Sequence, residues 1–226
     1  VQVSVAPVAT TAERVSQKVI FCDTSAKRDI LVELISQPDF KRTIVFTRTK
    51  RGADKVAAHL DKAGLSASAI HGNKSQNQRQ RALEEFRSGR IRVLVATDIA
   101  ARGIDIDGVT HVINYELPDV AESYVHRIGR TARAGRDGIA ISFVDGEERA
   151  YLRQIERLTR VQLEPVPLPE GSVEEFLLSH VLEHGHDSLG LREELGRLAA
   201  PGARATGRVR YGTTRTRVVV RIRRPL

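Results

Sequence analysis

Short apolar stretches alternate with longer amphipathic ones along most of the chain. The short stretches are rich in β-branched residues, which is typical of buried strands, and the longer ones have apolar residues at helical spacing. The predicted strands are 18–23, 43–47, 67–71, 91–97, 110–114 and 138–144. The predicted helices are 26–36, 50–64, 75–88, 119–128 and 146–160. This order predicts an α/β fold in which helices cover both faces of a mostly parallel sheet.

The pattern changes on both sides of this region. Residues 1–17 have little apolar periodicity and are interpreted as an extended linker. Prolines at positions 165, 167 and 169 predict a stiff spacer at a domain edge. Two helical patterns follow, at 172–184 and 188–199, and part of 213–223 alternates like a strand. We therefore expect a linker (1–17), an α/β domain (18–164) and a C-terminal helical and basic extension (165–226).

Composition excludes several classes of protein. The chain has 226 residues, of which 41% are hydrophobic and 28% charged, enough for one core of ordinary size. A single cysteine, Cys22, cannot form an internal disulfide and fits a reducing compartment. There is no run of about 18 apolar residues and no signal-like N-terminus. These features predict a cytoplasmic protein without a membrane partner.

The charge of the chain is concentrated near its C-terminus. The 36 Lys and Arg against 28 Asp and Glu give a net charge of +8. Residues 201–226 contain eight arginines and no lysine or acidic residue, so residues 1–200 sum to zero. A basic tail of this kind is expected to bind RNA phosphates without sequence preference. A case for nucleic acid in the α/β domain must come from the positions of individual residues.

Polar residues follow three of the predicted strands at the point where each ends. They are Thr47–Thr49, His71–Asn73 and Thr97–Asp98. Because the carboxyl ends of parallel strands meet at one edge of a sheet, these groups should lie close together, where ligands gather in such folds. Strand ends are polar in any soluble protein, however, so this pattern leaves a structural and a functional interpretation equally open.

Two arginine-bearing segments favour the functional interpretation. In AARGIDI (100–106), Gly103 allows a close backbone approach to a ligand, and the Asp105 carboxylate can accept hydrogen bonds from ribose hydroxyls. In HRIGRTARAGR (126–136), arginines recur at a spacing of three, which would place them on one side. The second segment contains no lysine or acidic residue, and arginine suits planar contacts with phosphate oxygens.

These segments resemble the motifs of the DEAD-box RNA helicases. VLVATDIAARGIDI is similar to their motif V, and YVHRIGRTARAGR to motif VI, with Ala132 where glycine is commoner. TIVFTRTKRGADKVA is similar to motif IV. HGNKSQNQRQRALEEFRSG resembles the segment after it, whose Q-x-x-R element falls on Gln76 and Arg79. The resemblance covers residues 18–160, with four motifs in order, and its wording is nearest to the bacterial RhlE-like branch.

The resemblance implies the C-terminal RecA-like domain of such a helicase, a three-layer sandwich, with a role for each matched residue. Arg130 and Arg133 would be catalytic arginine fingers that reach the γ-phosphate of ATP. Gly103 and Asp105 would contact the ribose of ATP. The RNA backbone would be lined by Arg48, Gly72, Arg79 and Thr97. Coupling to the N-terminal RecA-like domain would fall to Arg102, His126 and Arg127.

Two elements of the family are missing from this sequence. No G-x-x-x-x-G-K-[ST] phosphate loop occurs, and no Asp-Glu dipeptide. In the family both belong to the N-terminal RecA-like domain, which would hold most of the ATP and Mg²⁺, so the chain alone is expected to be inactive. The alternative is a free-standing RNA-binding or regulatory module without ATPase activity. Asp105, Arg130 and Arg133 favour the helicase, because a pure binding module has no use for them.

Two further features lie in the C-terminal extension. His180, His184 and His186 have a spacing that can bind zinc, but we interpret them as a solvated helix end and predict no metal site. Apolar residues between 173 and 182 would pack on the domain or on a second copy. Self-association through residues 172–200 is therefore left open.

Overall fold

The computed structural model describes residues 14–101, 106–133 and 137–166, and the backbone of three further strands. Between residues 14 and 166, which we call the first region, the strands are β1 (Val15–Phe21), β2 (Thr43–Phe46), β3 (Ala67–Ile70), β4 (Val93–Ala96), β5 (His111–Asn114), β6 (Gly138–Val144) and β7 (Glu164–Pro165). The helices are α1 (Lys27–Ser36), α2 (Lys50–Lys62), α3 (Gln76–Arg87), α4 (Asp98–Ala101), α5 (Ala121–Ile128) and α6 (Arg149–Thr159). None of the described helices is long and apolar enough to cross a membrane.

The predicted α/β fold is confirmed. The seven strands form one sheet in the order β3-β4-β2-β5-β6-β1-β7, and every pairing in it is parallel. The central strands are buried along their whole length. Alternate residues of β2 therefore enter different cores: Ile44 and Phe46 pack in one apolar cluster, and Val45 in the cluster on the other face. Helices cover both faces, which explains why the strands are apolar runs.

The structure shifts some element boundaries. β1 begins at Val15, three residues before the predicted strand and inside the stretch interpreted as linker. It pairs in register with β6 from Val15↔Gly138 onwards, a contact between residues 123 positions apart that local periodicity does not report. The strand predicted at 91–97 is shorter in the structure, since β4 ends at Ala96 and Thr97 lies just beyond it. The short helix α4 begins at the next residue, Asp98. Neither α4 nor β7 was predicted.

Residues from Glu170 form a second compact unit. Its described strands are β8 (Phe176–Leu177), β9 (Arg204–Arg210) and β10 (Arg217–Arg223), in the order β8-β10-β9 with antiparallel pairing. The alternation predicted near the C-terminus is confirmed by β10. In register, Arg217 pairs with Arg210 and Arg223 with Arg204.

The helix predicted over 172–184 is wrong at Phe176–Leu177. These two residues pair with Val220 and Val219 of β10. The backbone partner comes from more than 40 residues further along the chain, whereas the helical pattern rested on nearby apolar residues only. The rest of 172–184, the predicted helix at 188–199 and the three histidines lie outside the described residues, so the self-association interpretation gains no support.

Candidate functional site

Three of the predicted RNA-binding positions lie side by side at the carboxyl edge of the sheet. Ala96, at the end of β4, pairs with Phe46 of β2 on one side and Ile70 of β3 on the other. The hydrogen bonds continue beyond the strands, because the amide of Thr47 donates to the Ala96 carbonyl over 3.0 Å. Thr97 thus lies between the segments that carry Arg48 and Gly72. We name these three residues, Arg48, Gly72 and Thr97, the sheet edge.

Arg48 is held by acidic and aromatic neighbours. Its backbone amide donates to Oε2 of Glu116 over 2.7 Å. Its guanidinium lies 5.8 Å from the ring centroid of Tyr151 on α6, and Nη2 lies 3.6 Å from Oε1 of Glu148. The side chain remains 37% exposed. Arg48 therefore links the end of β2 to the start of α6 while still facing solvent.

A buried ionic cluster supports this side of the edge. Lys27 and Glu148, which are 1% and 0% exposed, form an ion pair, and Nζ of Lys27 also lies 3.0 Å from Oδ2 of Asp145. The amide of Leu117 donates to Oε1 of Glu148 over 2.9 Å. Burial raises the pKa of Asp145, but hydrogen bonds from Thr24 and Lys27 outweigh it and leave the pKa below its usual range. This cluster could not be predicted from local patterns, because Lys27 and Glu148 are 121 positions apart.

The turn that carries Gly72 is fixed by His71. This histidine is 3% exposed, its Nδ1 accepts from the amide of Asn73 over 3.3 Å, and its Nε2 lies 3.0 Å from Oδ2 of Asp54. Burial raises the pKa of Asp54, but hydrogen bonds from His71 and Lys74 outweigh it and lower the pKa overall. His71 thus holds the turn against α2. Gly72 is exposed, and a Cβ there would only touch Lys50 at 3.6 Å, so the domain itself leaves room for a side chain.

Arg79 lies in the helix that follows this turn. α3 begins with a capping box between Ser75 and Gln78, which fixes its first turn. Arg79 is half-buried, and its Nε has no hydrogen-bond partner among the described residues. The structure therefore places Arg79 next to the turn of Gly72, on a different element from the three residues of the sheet edge.

A cleft between α4 and α5 brings the two arginine-bearing segments together. It is lined by Phe46, Asp98, Ala101, Ser123, His126, Arg127 and Arg130. Arg127 forms its inner wall and is 1% exposed. Nη1 of Arg127 donates to the Glu116 carbonyl over 2.7 Å and to Oδ1 of Asn114 over 3.2 Å. Its guanidinium carbon lies 5.1 Å from the ring centroid of Phe46.

Asp98 neutralises the charge of Arg127. Nε donates to Oδ1 over 2.6 Å and Nη2 to Oδ2 over 2.8 Å, a bidentate pair that joins α4 to α5. We predicted that Arg127 ties these segments to a second domain. The structure shows an inward-facing side chain that ties them to each other, whereas His126 is exposed at the cleft. Asp98 was noted as a strand-end residue, but its pairing was not predicted.

Arg130 and Arg133 lie beyond the end of α5. The helix ends at Ile128 with Gly129 as its C-cap, so Arg127 lies on the helix, whereas Arg130 and Arg133 follow it. Nε of Arg130 donates to the His126 carbonyl over 3.2 Å, and Nε of Arg133 to the Gly129 carbonyl over 3.0 Å. Both side chains are partly exposed. Arg130 lines the cleft, whereas Arg133 belongs to the loop that follows.

The turn at Thr131 and Ala132, between these two arginines, is packed against the start of β6. Oγ1 of Thr131 donates to the Val109 carbonyl over 2.6 Å. Ala132 has φ of 53°, in the left-handed region that favours glycine, which explains why glycine is commoner here in the family that the motifs resemble. A Cβ at Gly138 would lie 2.4 Å from Oγ1 of Thr131, so this position requires glycine.

Three predicted site residues, Arg102, Gly103 and Asp105, lie outside the described residues. Within the part of the chain that the structure describes, no group of three or more His, Cys, Asp or Glu side chains could hold a metal ion. Among the residues that line the cleft, Asp98 is the one carboxylate, and Arg127 neutralises it. The cleft therefore presents cationic and neutral donors, a set that suits an anionic ligand.

Comparison with known proteins agrees with this geometry. The profile of the helicase conserved C-terminal domain family matches residues 26–135. The chain is 46% identical over 159 residues to the ATP-dependent RNA helicase CshA of Listeria monocytogenes, covering 70% of this chain and 31% of that protein. It is 44% identical over 157 residues to the helicase DeaD of Buchnera aphidicola, covering 70% and 26%. The chain thus spans at most about a third of these curated relatives.

Solved structures of DEAD-box proteins are also similar to this chain. The Escherichia coli DEAD-box protein SrmB, bound to the regulator of ribonuclease activity A, has a TM-score of 0.65 and 39% identity, with 67% of this chain and 90% of that chain covered. Dbp5 of Saccharomyces cerevisiae, bound to RNA and ADP BeF3, has a TM-score of 0.64 and 36% identity, covering 70% and 44%.

Proposed function

We propose that this chain, which belongs to the DEAD-box RNA helicases as their conserved C-terminal helicase domain, contributes to ATP-driven unwinding of RNA duplexes. In this role it supplies arginine fingers, a ribose contact and part of the RNA-binding surface. The observation that carries the proposal is the bidentate pair of Arg127 and Asp98. It holds α5 against α4, so that Arg130 lines a cleft close to the sheet edge.

The arginines would act on the phosphates of ATP. Arg130 and Arg133 would donate to γ-phosphate oxygens and stabilise the charge that develops during transfer, a contribution of roughly 10³–10⁵ in rate in related enzymes. Arg130 is backed by the His126 carbonyl and Arg133 by the Gly129 carbonyl, so each guanidinium starts from a fixed direction. Asp105 and the backbone at Gly103 would hold the ribose. The charge of the cleft would suit the phosphates of ATP, because Asp98, the carboxylate among its lining residues, is already paired with Arg127.

The sheet edge would hold the RNA backbone. Arg48 and the half-buried Arg79 would contact phosphates, and Thr97 would donate or accept a hydrogen bond. Gly72 has no side chain and is exposed, which allows an RNA backbone to approach the turn closely. Contacts of this kind are independent of base sequence. The yeast relative Dbp5, whose structure contains RNA and ADP BeF3, supports RNA as the ligand.

The remaining parts of the machinery would come from an N-terminal RecA-like domain. That domain would hold most of the ATP and Mg²⁺, because the phosphate-loop and acidic motifs of the family are not among the motifs of this chain. Arg102, His126 and, through its position, Arg127 would couple the two domains. A cytoplasmic location is supported by the similarity to bacterial RNA helicases. The assignment to the RhlE-like branch rests on the motif sequences alone, whereas the relatives compared above are CshA and DeaD proteins.

ATP turnover by a longer protein that joins this chain to an N-terminal helicase domain tests the proposal. Arg130→Ala and Arg133→Ala should each lower RNA-stimulated turnover by orders of magnitude while RNA affinity changes little. Arg90→Ala, an exposed arginine away from the cleft, is the control. The chain alone should not hydrolyse ATP. Normal turnover in either finger variant, or turnover by the chain alone that Arg130→Ala abolishes, would contradict the assignment.

The alternative of a free-standing RNA-binding module is not favoured. The relatives of this chain are named ATP-dependent RNA helicases. A protein that only binds RNA would also have no need for Arg130 and Arg133 together with a ribose carboxylate at Asp105. In such a module Arg130→Ala would have no ATP-dependent phenotype, so the same experiment separates the two functions.

A further inference from the structure

Lys50 lies beside two residues of the sheet edge. It is the first residue of α2, two positions after Arg48, and its side chain is exposed. Its Cε and Nζ lie 3.6 and 3.8 Å from the point that a Cβ at Gly72 would occupy. The side chain of Lys50 therefore reaches from the segment after β2 to the turn after β3.

The position of Lys50 is fixed at its backbone and at its ammonium group. Thr49 is the N-cap of α2, and its hydroxyl accepts a hydrogen bond from the amide of Gly52 over 3.0 Å, which fixes the first turn. Nζ of Lys50 donates to Oδ1 of Asn73 over 2.7 Å. The amide of Asn73 in turn donates to Nδ1 of the buried His71. The ammonium group is therefore oriented before a ligand binds.

The contact with Asn73 leaves the charge of Lys50 intact. An amide oxygen is neutral, and an ammonium group has three donors, so donors remain for a ligand. The acid one turn further along α2, Asp54, has other partners: Oδ2 lies 3.0 Å from Nε2 of His71, and Oδ1 lies 2.9 Å from Nζ of Lys74. Among the residues that the structure describes, Lys50 forms no ion pair. Its positive charge can therefore bind an anion.

Helix stability does not explain a lysine at this position. The amino end of a helix carries a partial positive charge, so a lysine in the first turn is unfavourable there. The first turn of α2 contains no acidic residue that would compensate. Packing in the core does not explain Lys50 either, because the side chain is exposed. A ligand with negative charge would make this position favourable.

The RNA backbone is the ligand that fits this position. In the proposed function RNA approaches the turn closely at Gly72, where its backbone would fill the space that a Cβ occupies in other residues. Nζ of Lys50 is 3.8 Å from that space, so a phosphate there would be within ion-pair distance. An ammonium group binds phosphate as a point charge, and such a contact is independent of base sequence.

We propose that Lys50 is a further RNA-binding residue, which holds the phosphate that lies against Gly72, and that Asn73 orients its ammonium group. The inference rests on the proposed function, since it takes RNA to be the ligand of the sheet edge. It adds to that surface a cation from α2 whose direction is set by the turn after β3.

Chemical footprinting of lysines in the full chain tests the contact directly. An N-hydroxysuccinimide ester of acetic acid acetylates accessible amines, and mass spectrometry gives the rate at each lysine with and without saturating oligouridine. RNA should slow the acetylation of Lys50 severalfold. The matched control is Lys62, which is also exposed and lies about 18 Å away at the other end of α2. Its rate should not change.

Fluorescence anisotropy with labelled oligouridine measures the size of the contribution. Lys50→Gln should make the log–log salt slope shallower by about 0.7 and lower the affinity at about 100 mM salt roughly fivefold. Lys50→Arg should keep the slope, because counterion release depends on charge, and Lys62→Gln should change little. Asn73→Ala should cause a smaller loss of affinity, and no loss when it is combined with Lys50→Gln. Urea unfolding should show that Lys50→Gln is at least as stable as the wild type.

Several results would overturn the inference. They are equal acetylation of Lys50 with and without RNA, an unchanged salt slope in Lys50→Gln, and equal losses in Lys50→Gln and Lys62→Gln, which would indicate a general charge effect. A clear loss of stability in Lys50→Gln would indicate a structural role instead. An Asn73→Ala variant with unchanged affinity would contradict the orienting role of Asn73.

Arg48→Gln separates this inference from the proposed function. If Arg48→Gln weakens RNA binding while RNA leaves Lys50 open to acetylation, the sheet edge binds RNA and the inference about Lys50 is wrong. If Arg48→Gln leaves RNA binding unchanged while RNA protects Lys50, the assignment of Arg48 is wrong and the contact at Lys50 is established. If neither residue responds to RNA, both proposals fail.

Discussion

Arg127 and Asp98 are 29 positions apart, and two hydrogen bonds of 2.6 and 2.8 Å join the guanidinium of one to the carboxylate of the other. The arginine is almost fully buried, and the aspartate is partly open to the cleft. This pair connects the segment after β4 with the helix that precedes the proposed arginine fingers. The cleft keeps its shape because a buried guanidinium has no favourable alternative position.

Removing the carboxylate should therefore destabilise the domain. Asp98→Ala would leave Arg127 buried without its counter-charge, which lowers the free energy of unfolding by about 3 kcal/mol. Urea unfolding measures the loss. The control is Glu85→Gln, which breaks the exposed pair between Arg81 and Glu85 and should hardly change stability. If both variants lose the same small amount, the pair does not hold α4 against α5.

Ala132 should tolerate replacement by glycine better than an ordinary alanine does. Its φ of 53° strains an alanine by about 1 kcal/mol, and glycine removes that strain. Ala132→Gly is expected to keep or raise the free energy of unfolding. Ala58→Gly, at an exposed position inside α2, should instead cost about 1 kcal/mol. Thermal and urea unfolding of the two variants compare them. Equal losses would mean that the backbone at Ala132 is not strained.

His111 should make the domain less stable in acid. Burial lowers the pKa of His111 from 6.5 to about 4, and its ring stacks on Phe40 with 3.9 Å between centroids. The unfolded chain binds the proton more readily than the folded one. The neutral state of His111 therefore contributes fully to the free energy of unfolding above pH 6.5. This contribution, about 3 kcal/mol in total, is lost progressively as the pH falls to about 4.

The comparison of wild type with His111→Phe isolates this contribution. Phenylalanine keeps a ring against Phe40 but cannot be protonated, so the stability of the variant should decline less between pH 6.5 and 4. Urea unfolding at a series of pH values measures both proteins. Parallel pH profiles would show that His111 takes up its proton equally in the folded and unfolded states.

The eight arginines of residues 201–226 should add salt-sensitive RNA affinity. A chain that ends at Ala200 has a net charge of 8 − 8 = 0. Its log–log salt slope for single-stranded RNA should be shallower by about 0.7 for each phosphate that the tail neutralises. A tail in which all eight arginines are replaced by lysine should keep the slope. If the full and shortened chains have equal slopes, the tail does not contact RNA.

Much of the first region was predictable, because its elements are set by local patterns. Strand and helix order, the parallel sheet and the polar strand ends at one edge all follow from apolar periodicity and from the rule that parallel strands end together. The motifs then pointed to Arg48, Gly72 and Thr97, which do lie side by side. The second compact unit, from Glu170 onwards, was predicted less well, since the strand at Phe176–Leu177 depends on a partner strand in the arginine tail.

The sequence by itself determined the α/β architecture, the family and which arginines could take part in phosphate chemistry. It could not decide which of them faces inward, because Arg127, Arg130 and Arg133 share one spacing and one chemistry. Only the tertiary structure decided that Arg127 is buried against Asp98 and Asn114, while Arg130 lines the cleft and Arg133 lies in the following loop. It also decided the Lys27–Glu148 pair. A buried charge is stabilised by partners from distant segments, and those partners are brought together only when the sheet is complete.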